Sequence, residues 1–303
     1  MTELRSNFSD LFGTTALPMI HHIVFDKYKE KPDIIPQLFN YTRSDRDIEQ
    51  TSSISGFSVA TTIAENESVT YEDMIQGYDK TYTHIKVGKG FRVTKEMLDD
   101  GKFLTIQKKS MKLGMALYEA KQIEAASEFN DGFTAVATNP NGEALFVTTH
   151  ALIRGGTEQN TLTTQADLSV TSLRQAITDI KDTRDDGNLR TNIVPKWLLV
   201  PDNGIWDATE LLKSTDRPDT ANRAMNAFTI TGIQPIAWSY LTDTDSWFLC
   251  TEPANHEMYF FQRQDALIES DKDFDTGAQK VKMEERYSHG WSDWRGLYGV
   301  QGA

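Results

Sequence analysis

Residues 168–214 read LSVTSLRQAITDIKDTRDDGNLRTNIVPKWLLVPDNGIWDATELLKS, and their hydrophobic period changes twice. Ser169 or Thr171 can cap a first helix, whose apolar residues share one face at Leu173, Ala176, Ile177 and Ile180. The run NIVPKWLLVP is apolar enough for a central strand. Asp202 or Asn203 can cap a second helix with one apolar face. This order of helix, strand and helix predicts an α/β unit, and further strands follow it.

A long helix is predicted upstream of this unit, from about Phe103 to Phe129. Its apolar residues recur at spacings of three, four and seven in two stripes, namely Leu104, Met111, Met115, Tyr118, Ala125 and Phe129, flanked by Ile106, Leu113, Leu117 and Ala120. At 1.5 Å per residue the helix spans roughly 40 Å. Asn130-Asp131-Gly132 is expected to end it.

The segment between residues 51 and 92 is predicted to be an extended hairpin. The strand GFSVATTI is followed by a polar turn at Glu65–Ser68, and YDKTYTHIKVGKGFRV returns as the second strand. The segment is mostly polar and holds too few apolar residues to form a core. Because an isolated two-stranded ribbon is marginally stable in water, it must lie on its own domain or on a neighbour.

The two ends of the chain differ in pattern. The first 50 residues predict an irregular polar arm, in which Pro32 and Pro36 oppose a long helix and a short helix fits near 14–28. The last part of the chain, AQKVKMEERYSH followed by WSDWRGLYGV, is typical of strands.

Composition excludes several classes of protein. The 303 residues include 31 Lys and Arg against 44 Asp and Glu, and the net charge of −13 argues against a basic nucleic-acid binder. No apolar run approaches the roughly 18 residues that span a bilayer, and the first residues do not resemble a secretory signal. A single cysteine, Cys250, excludes an internal disulfide framework and a cysteine zinc cluster. These features favour a protein folded in a reducing compartment.

Catalytic motifs start but are not completed. Gly88-Lys-Gly90 begins a dinucleotide loop, but Val93 stands where the third glycine belongs. His256-Glu257 begins a zinc-protease signature, but Phe260 replaces the second histidine. The sequence therefore indicates no specific catalytic site.

One acidic segment is a weak candidate for a calcium site. Asp271, Asp273 and Asp275 alternate before Gly277, as carboxylates do in calcium-binding loops. The glycine comes one position late, and Lys282 stands where a bidentate Glu is needed. A solvated acidic turn is therefore the favoured interpretation.

Four segments, in this order, resemble the major capsid protein of tailed bacteriophages, in the Mu-like major head subunit group. They are GKGFRVTKEMLDDGKF, the long helix ending in NDGF with LFVTTHAL soon after, the stretch 168–214 quoted above, and the tail ERYSHGWSDWRGLYGV. Together they cover most of residues 55–303. One departure is Asp202, where the family often has a second proline after LLVP, and Asp is itself a good helix cap.

The resemblance implies an α+β Hong Kong 97-type capsid fold in five parts. These are an N-terminal arm (1–54), an extended β-hairpin loop (55–92), a peripheral domain with the long spine helix (93–154), an α/β axial domain (155–255) and a return to the peripheral domain (256–303). The folded part begins near the start of the chain, so a built-in scaffold of the family's usual length is not expected. The resemblance also accounts for the hairpin that has no core of its own, because such a ribbon is stable when it lies across the next subunit of a shell.

The resemblance also implies a function. It indicates a non-enzymatic protein that self-assembles, as hexamers and pentamers, into the icosahedral shell enclosing the double-stranded DNA of a tailed phage. Expected partners are further copies, the portal and separate scaffold or decoration proteins, with DNA enclosed but not specifically bound, and no membrane or cofactor. The expected location is the virion capsid, after assembly in the bacterial host cytoplasm. An α/β enzyme with a dispersed site and a monomeric binding module are the alternatives.

Candidate contacts between subunits come from the loop and from the tail. In the loop they are Glu65, Glu67, Tyr71, Asp73 and Lys80, and in the tail they are Trp291, Trp294 and Arg295. Aromatic residues three apart on a strand face opposite sides, so one tryptophan is expected to be buried and the other to sit at a contact.

Overall fold

The computed structural model describes residues 17–215 and 225–302. Residues 1–16, the start of the predicted arm, and residues 216–224 lie outside the described part. The described helices are α1 (Leu17–Lys29), α2 (Ile35–Leu38), α3 (Lys95–Asp99), α4 (Phe103–Asn130), α5 (Val170–Asp182) and α6 (Ile205–Lys213). The strands are β1 (Asn40–Arg43), β2 (Ile48–Ile54), β3 (Gln76–Thr83), β4 (Ile85–Val93), β5 (His150–Ala151), β6 (Thr157–Glu158), β7 (Trp197–Val200), β8 (Gln234–Ala237), β9 (Trp247–Cys250), β10 (Glu257–Lys272), β11 (Gln279–Asp293) and β12 (Leu297–Val300).

The first sheet has the order β1-β10-β11-β4 and carries the long helix α4. Its centre is the hairpin of β10 and β11, with β4 antiparallel to β11 and β1 parallel to β10. Helix α1 packs on α4 so closely that a Cβ at Gly114 would lie 2.3 Å from the carbonyl oxygen of Val24. Glycine at position 114 therefore permits this backbone contact.

The second sheet has the order β12-β9-β7-β8 and forms the predicted α/β unit with α5 and α6. Ser169 caps α5, because its side chain accepts a hydrogen bond from the Ser172 N–H and its own N–H donates to the Ser172 hydroxyl. The predicted strand and both predicted helices of residues 168–214 are present. The last strands connect the two sheets along the chain, since β11 belongs to the first sheet and β12 to the second. The chain therefore has a mixed α+β architecture.

The predicted hairpin is displaced along the chain. Residues 56–63, although all are described, form no strand, and β3 pairs instead with β2, which precedes the predicted strand GFSVATTI. The second predicted strand divides at His84, so that β4 joins the first sheet. The turn is present, since the Glu67 N–H donates to the Ala64 carbonyl at 3.1 Å. The ribbon is therefore shorter than predicted, and residues 55–75 form a loop at its end.

The segment predicted to be an irregular polar arm is part of the core from residue 17 onward. A helix near 14–28 is confirmed as α1, and its Ile20 and Val24 pack with apolar residues of α4 and the first sheet. Ile35, Leu38 and Phe39 are fully buried. The prolines shorten the helices of this segment without keeping it out of the fold. The five-part division of the chain remains a prediction.

The long helix is confirmed as α4, and it ends where Asn130-Asp131-Gly132 was expected to stop it. The prediction of which residues of α4 are buried is partly wrong. Leu113, Leu117 and Phe129 are buried as predicted, whereas Leu104 is 74% exposed and Met115 is also exposed. The buried face also includes polar residues at Ser110, Lys121 and Gln122.

Candidate functional site

The most exposed apolar surface of the described chain lies on the loop of residues 55–75. These residues extend from the β2–β3 ribbon and place large apolar side chains in solvent, namely Phe57, Val59, Ile63, Val69, Tyr71, Met74 and Ile75. Tyr71 is 93% exposed. Monomeric proteins rarely expose so many apolar groups together, and such patches mark interaction sites. The loop is therefore the leading candidate for a contact surface.

The base of this loop is held by defined contacts. Arg154 forms an ion pair with Glu72 and donates to the Asp73 carbonyl at 3.1 Å. The Ser58 N–H and hydroxyl both donate to Glu72, and these bonds, with Arg154, hold the pKa of that carboxyl below its usual range. Only glycine fits at position 187, where a Cβ would lie 2.1 Å from the carbonyl oxygen of Phe57. These contacts hold the base of the loop against the rest of the subunit.

The predicted loop contacts divide into two groups. Glu65, Glu67, Tyr71 and Asp73 lie together on the loop and are exposed. Lys80 lies on the ribbon and points inward, where its Nζ donates to the Thr138 carbonyl at 2.6 Å and burial lowers its pKa. Lys80 therefore braces the ribbon against its own subunit.

The tail residues do not form the surface that the sequence predicted. Trp291 and Trp294 are both buried, at 3% and 7% exposure, so the expectation that one tryptophan faces outward is wrong. The physical reason is that β11 ends at Asp293, before Trp294, so the alternation of a strand does not relate the two. Trp294 stacks on His150 with ring centroids 4.3 Å apart. Arg295 lies over Trp294 and pairs with Asp186 and Asp293 at 3.1 and 2.8 Å.

The calcium candidate forms the turn between β10 and β11. Asp273 pairs with Lys280 at 2.6 Å, and the Gly277 N–H donates to the Asp273 carbonyl, with Gly277 at φ 65°. Asp271 caps the neighbouring backbone at Lys272. Within residues 17–215 and 225–302, no three His, Cys, Asp or Glu side chains are grouped to hold a metal ion.

Several ionisable groups with shifted pKa values are enclosed inside the subunit. Burial raises the pKa of the Cys250 thiol and lowers that of His256 to about 4. His289 lies between two carboxylates of α4, with Glu128 at 2.7 Å and Glu124 at 3.6 Å. Burial alone would lower the pKa of His289, but the two carboxylates outweigh it and raise that pKa to about 9. His289 thus joins β11 to α4.

A second exposed surface lies on α4, and sequence reasoning missed it. Its solvent-facing stripe comprises Leu104, Lys108, Lys112, Met115, Glu119 and Ile123, at spacings of three and four. Three of these residues are apolar, with Ile123 56% exposed and Met115 39% exposed. The sequence does contain an indication of this surface, because the apolar residues of α4 occupy more of the helix circumference than one buried face needs. Among the described residues, no helix has both the length and the apolar character to cross a lipid bilayer.

Comparison with known proteins gives a consistent result. A family model described as phage capsid protein matches residues 77–300. The fold is similar to the capsid structure of cyanophage P-SCSP1u, at 13% identity over 90% of this chain and 89% of that chain, with a TM-score of 0.58. It is also similar to a virus-like particle from Pyrococcus furiosus (11% identity, 95% and 100% covered, TM-score 0.57) and to Mycobacterium phage Bobi (11%, 90% and 91%, 0.57). No curated protein sequence matches the chain.

Proposed function

The chain belongs to the phage capsid protein family and is a structural protein of the virion shell; on this premise we propose that it is the major capsid protein of a tailed phage. Its copies assemble as hexamers and pentamers into an icosahedral shell. The shell encloses double-stranded DNA without binding it specifically, and it meets a portal and separate scaffold or decoration proteins. Assembly takes place in the cytoplasm of the bacterial host.

The proposal includes the Hong Kong 97-type subunit, and several features of the described chain support it. The long helix α4 lies on a sheet built from β10, β11 and β4, as a spine helix in a peripheral domain would. The sheet of β7, β8 and β9, with α5 and α6, is the arrangement expected of an axial domain, although β12 joins this sheet from the segment predicted to return to the peripheral domain. The β2–β3 ribbon with its terminal loop corresponds to the extended loop.

The observation that carries the proposal is the exposed loop of residues 55–75. Its apolar side chains are exposed to solvent. Burying them in a contact would favour association by about 25 cal/mol per Å² of apolar surface removed from water. A loop whose base is fixed by Arg154 loses little conformational entropy when it binds. In a closed shell every copy both offers this loop and receives one, so the contact repeats until symmetry closes the assembly.

Sedimentation and negative-stain electron microscopy of the purified full chain test the proposal. We expect closed particles, or hexamers and pentamers that close at higher concentration. If the protein remains monomeric over a wide range of concentration and salt, the proposal of self-assembly is wrong.

A further inference from the structure

The exposed stripe of α4 has the same spacing in both directions along the helix. Its six residues follow one another at steps of four, four, three, four and four, so the pattern is symmetric about a point between Leu113 and Gly114. From Lys108 to Asn130 only the stripe residues are exposed, and every other residue of α4 is buried or half-buried. The helix therefore presents to solvent a single row, roughly 28 Å long, whose two halves can face each other.

Two copies of α4 can pack stripe to stripe in opposite directions, about a two-fold axis level with this point. Leu104 of one copy then lies opposite Ile123 of the other, and the axis repeats this apolar pair at the far end. At the centre, Met115 meets the same residue of the second copy. Leu104 and Ile123 are 74% and 56% exposed in the subunit, so their burial in the contact would favour association.

The charged residues of the stripe follow the same symmetry. Lys108 lies opposite Glu119 of the second copy, and Lys112 lies one helical turn from Lys108 on the same side of the contact. Within the part of the chain that the structure describes, Lys108 and Lys112 take part in no hydrogen bond or ion pair. Glu119 pairs with Lys31 at 4.0 Å, and both side chains are about half exposed. Because an exposed pair at that distance contributes little, Glu119 can face a second copy.

The path of the stripe around α4 also suits helix packing. Rows of residues at steps of four interlock in the commonest class of helix contact, in which the axes lie about 8–10 Å apart and cross by about 50°. When two stripes are aligned, the second helix crosses obliquely over the side that carries Ala116 and Ala120. These two residues are half-buried and have no long side chain to hold a second helix away. Small side chains therefore line the path of the second helix.

We propose that α4 of one copy packs on α4 of a second copy through this stripe, in a two-fold contact that contains two Lys108–Glu119 ion pairs. The contact is isologous, so it joins two copies and then closes. It goes beyond the proposed function, because it needs only two copies and no closed shell. The exposure of Leu104, Met115 and Ile123 is then explained by a surface that a second copy covers.

Cross-linking of the full chain tests the contact. In Met115→Cys the two introduced thiols face each other across the axis, whereas the native Cys250 is fully buried. A short bismaleimide should therefore join two chains, and gel electrophoresis should show dimers without larger species. Adding Lys108→Glu should lower the yield of dimer at least about tenfold, because two carboxylates then meet at each end of the contact. Adding Glu119→Lys to that variant should restore the yield.

Thr178→Cys is the matched control, since this side chain is exposed on α5 and reports random collisions between subunits. Equal yields of dimer from Met115→Cys and from the control, or cross-linked species larger than a dimer, overturn the two-fold contact. An undiminished yield with Lys108→Glu, or a failure of Glu119→Lys to restore it, overturns the ion pairs.

Thermal unfolding shows whether each variant is folded. Lys108→Gln, which removes the charge without adding a carboxylate, gives a milder second variant and should lower the yield less than Lys108→Glu. Particles are scored separately by electron microscopy of the unchanged chain. Dimers without particles would count against the proposed function and not against this contact.

Discussion

The helix α4 and the loop of residues 55–75 show two ways of using apolar residues. Along α4, residues such as Leu117 and Phe129 are buried against the sheet. Along the loop, residues such as Val59 and Tyr71 stand in solvent. The helix therefore stabilises the subunit, whereas the exposed side chains of the loop add little to that stability. On the function proposed above, folding and assembly would depend on separate sets of residues.

The largest effect should follow from removing the loop. Replacing residues 60–70 by a short Gly-Ser turn keeps the ribbon and the base of the loop, because the Ser55 N–H still donates to the Ile75 carbonyl and Glu72 still pairs with Arg154. We expect complete loss of closed particles and a nearly unchanged unfolding transition, since the deleted side chains have few partners in the subunit. Electron microscopy and chemical denaturation measure the two outcomes.

Two outcomes of this deletion would contradict the division of roles between α4 and the loop. A deleted chain that is unfolded would show that the loop belongs to the core of its own subunit. A deleted chain that forms shells would show that other surfaces suffice for assembly.

Truncating a buried side chain should have the opposite effect. Trp291→Ala should destabilise the subunit by about 3–5 kcal/mol, because a large aromatic in the core is replaced by a cavity. The matched variant is Phe274→Ala at the tip of the β10–β11 hairpin, where the ring is 98% exposed, and it should change stability by less than about 0.5 kcal/mol. Urea denaturation measures both. Equal effects for the two variants would mean that the tail is not part of the core.

The buried ion cluster between α4 and β11 should make subunit stability depend on pH. The pKa of His289 is raised to about 9 from an unfolded value near 6.5, so its contribution is fully present below about pH 6.5. That contribution, up to about 3 kcal/mol, should be lost as pH rises through 9.

Urea denaturation of the unchanged chain and of His289→Gln, between pH 6 and pH 10, measures this effect. In His289→Gln the free energy of unfolding should no longer decrease as pH rises through 9. His22→Gln is the control, because the side chain of His22 is 77% exposed, and it should keep the decrease. A decrease of the same size in His289→Gln would assign it to other groups.

The smallest effect concerns DNA. Although α4 carries exposed lysines, the net charge of −13 opposes binding to a polyanion. We expect the subunit to shift duplex DNA only above about 10⁻⁴ M at physiological salt, with Lys108→Glu leaving this unchanged. A gel-shift titration measures the affinity. Binding in the micromolar range, weakened by Lys108→Glu, would assign the α4 stripe to DNA and not to a second copy.

Sequence reasoning succeeded where local pattern decides structure. The spacing of apolar residues predicted α4 almost to the residue, and Ser169 was correctly predicted to cap α5. The predicted caps of α6, Asp202 and Asn203, are wrong, because α6 begins after Gly204 and no side chain caps it. It misplaced the ribbon because strand pairing depends on a partner that the local pattern does not contain. GFSVATTI has the composition of a strand, yet IEQTSSI at Ile48–Ile54 is the segment that pairs with β3.

The candidate site was predicted in part, for related reasons. Glu65, Glu67 and Tyr71 were expected at a contact surface because a polar hairpin needs support, and they are exposed. Trp294 was misassigned because the end of β11 could not be located from the sequence. The α4 stripe was missed because periodicity shows that a helix has apolar faces but does not show which face a sheet covers.

The parallel pairing of β1 with β10 has a consequence for synthesis of the chain. Asn40 is paired with Tyr259, so the first sheet lacks its partners until more than two hundred further residues have been made. At 5–20 residues per second this takes roughly 10–45 seconds on the ribosome. Helix α4 is complete at Asn130, and for the later part of that interval its apolar face has α1 and β4 beside it but not β10 or β11, which leaves it open to aggregation. A nascent chain stopped before β10 should therefore be digested rapidly by added protease, whereas a completed chain should resist.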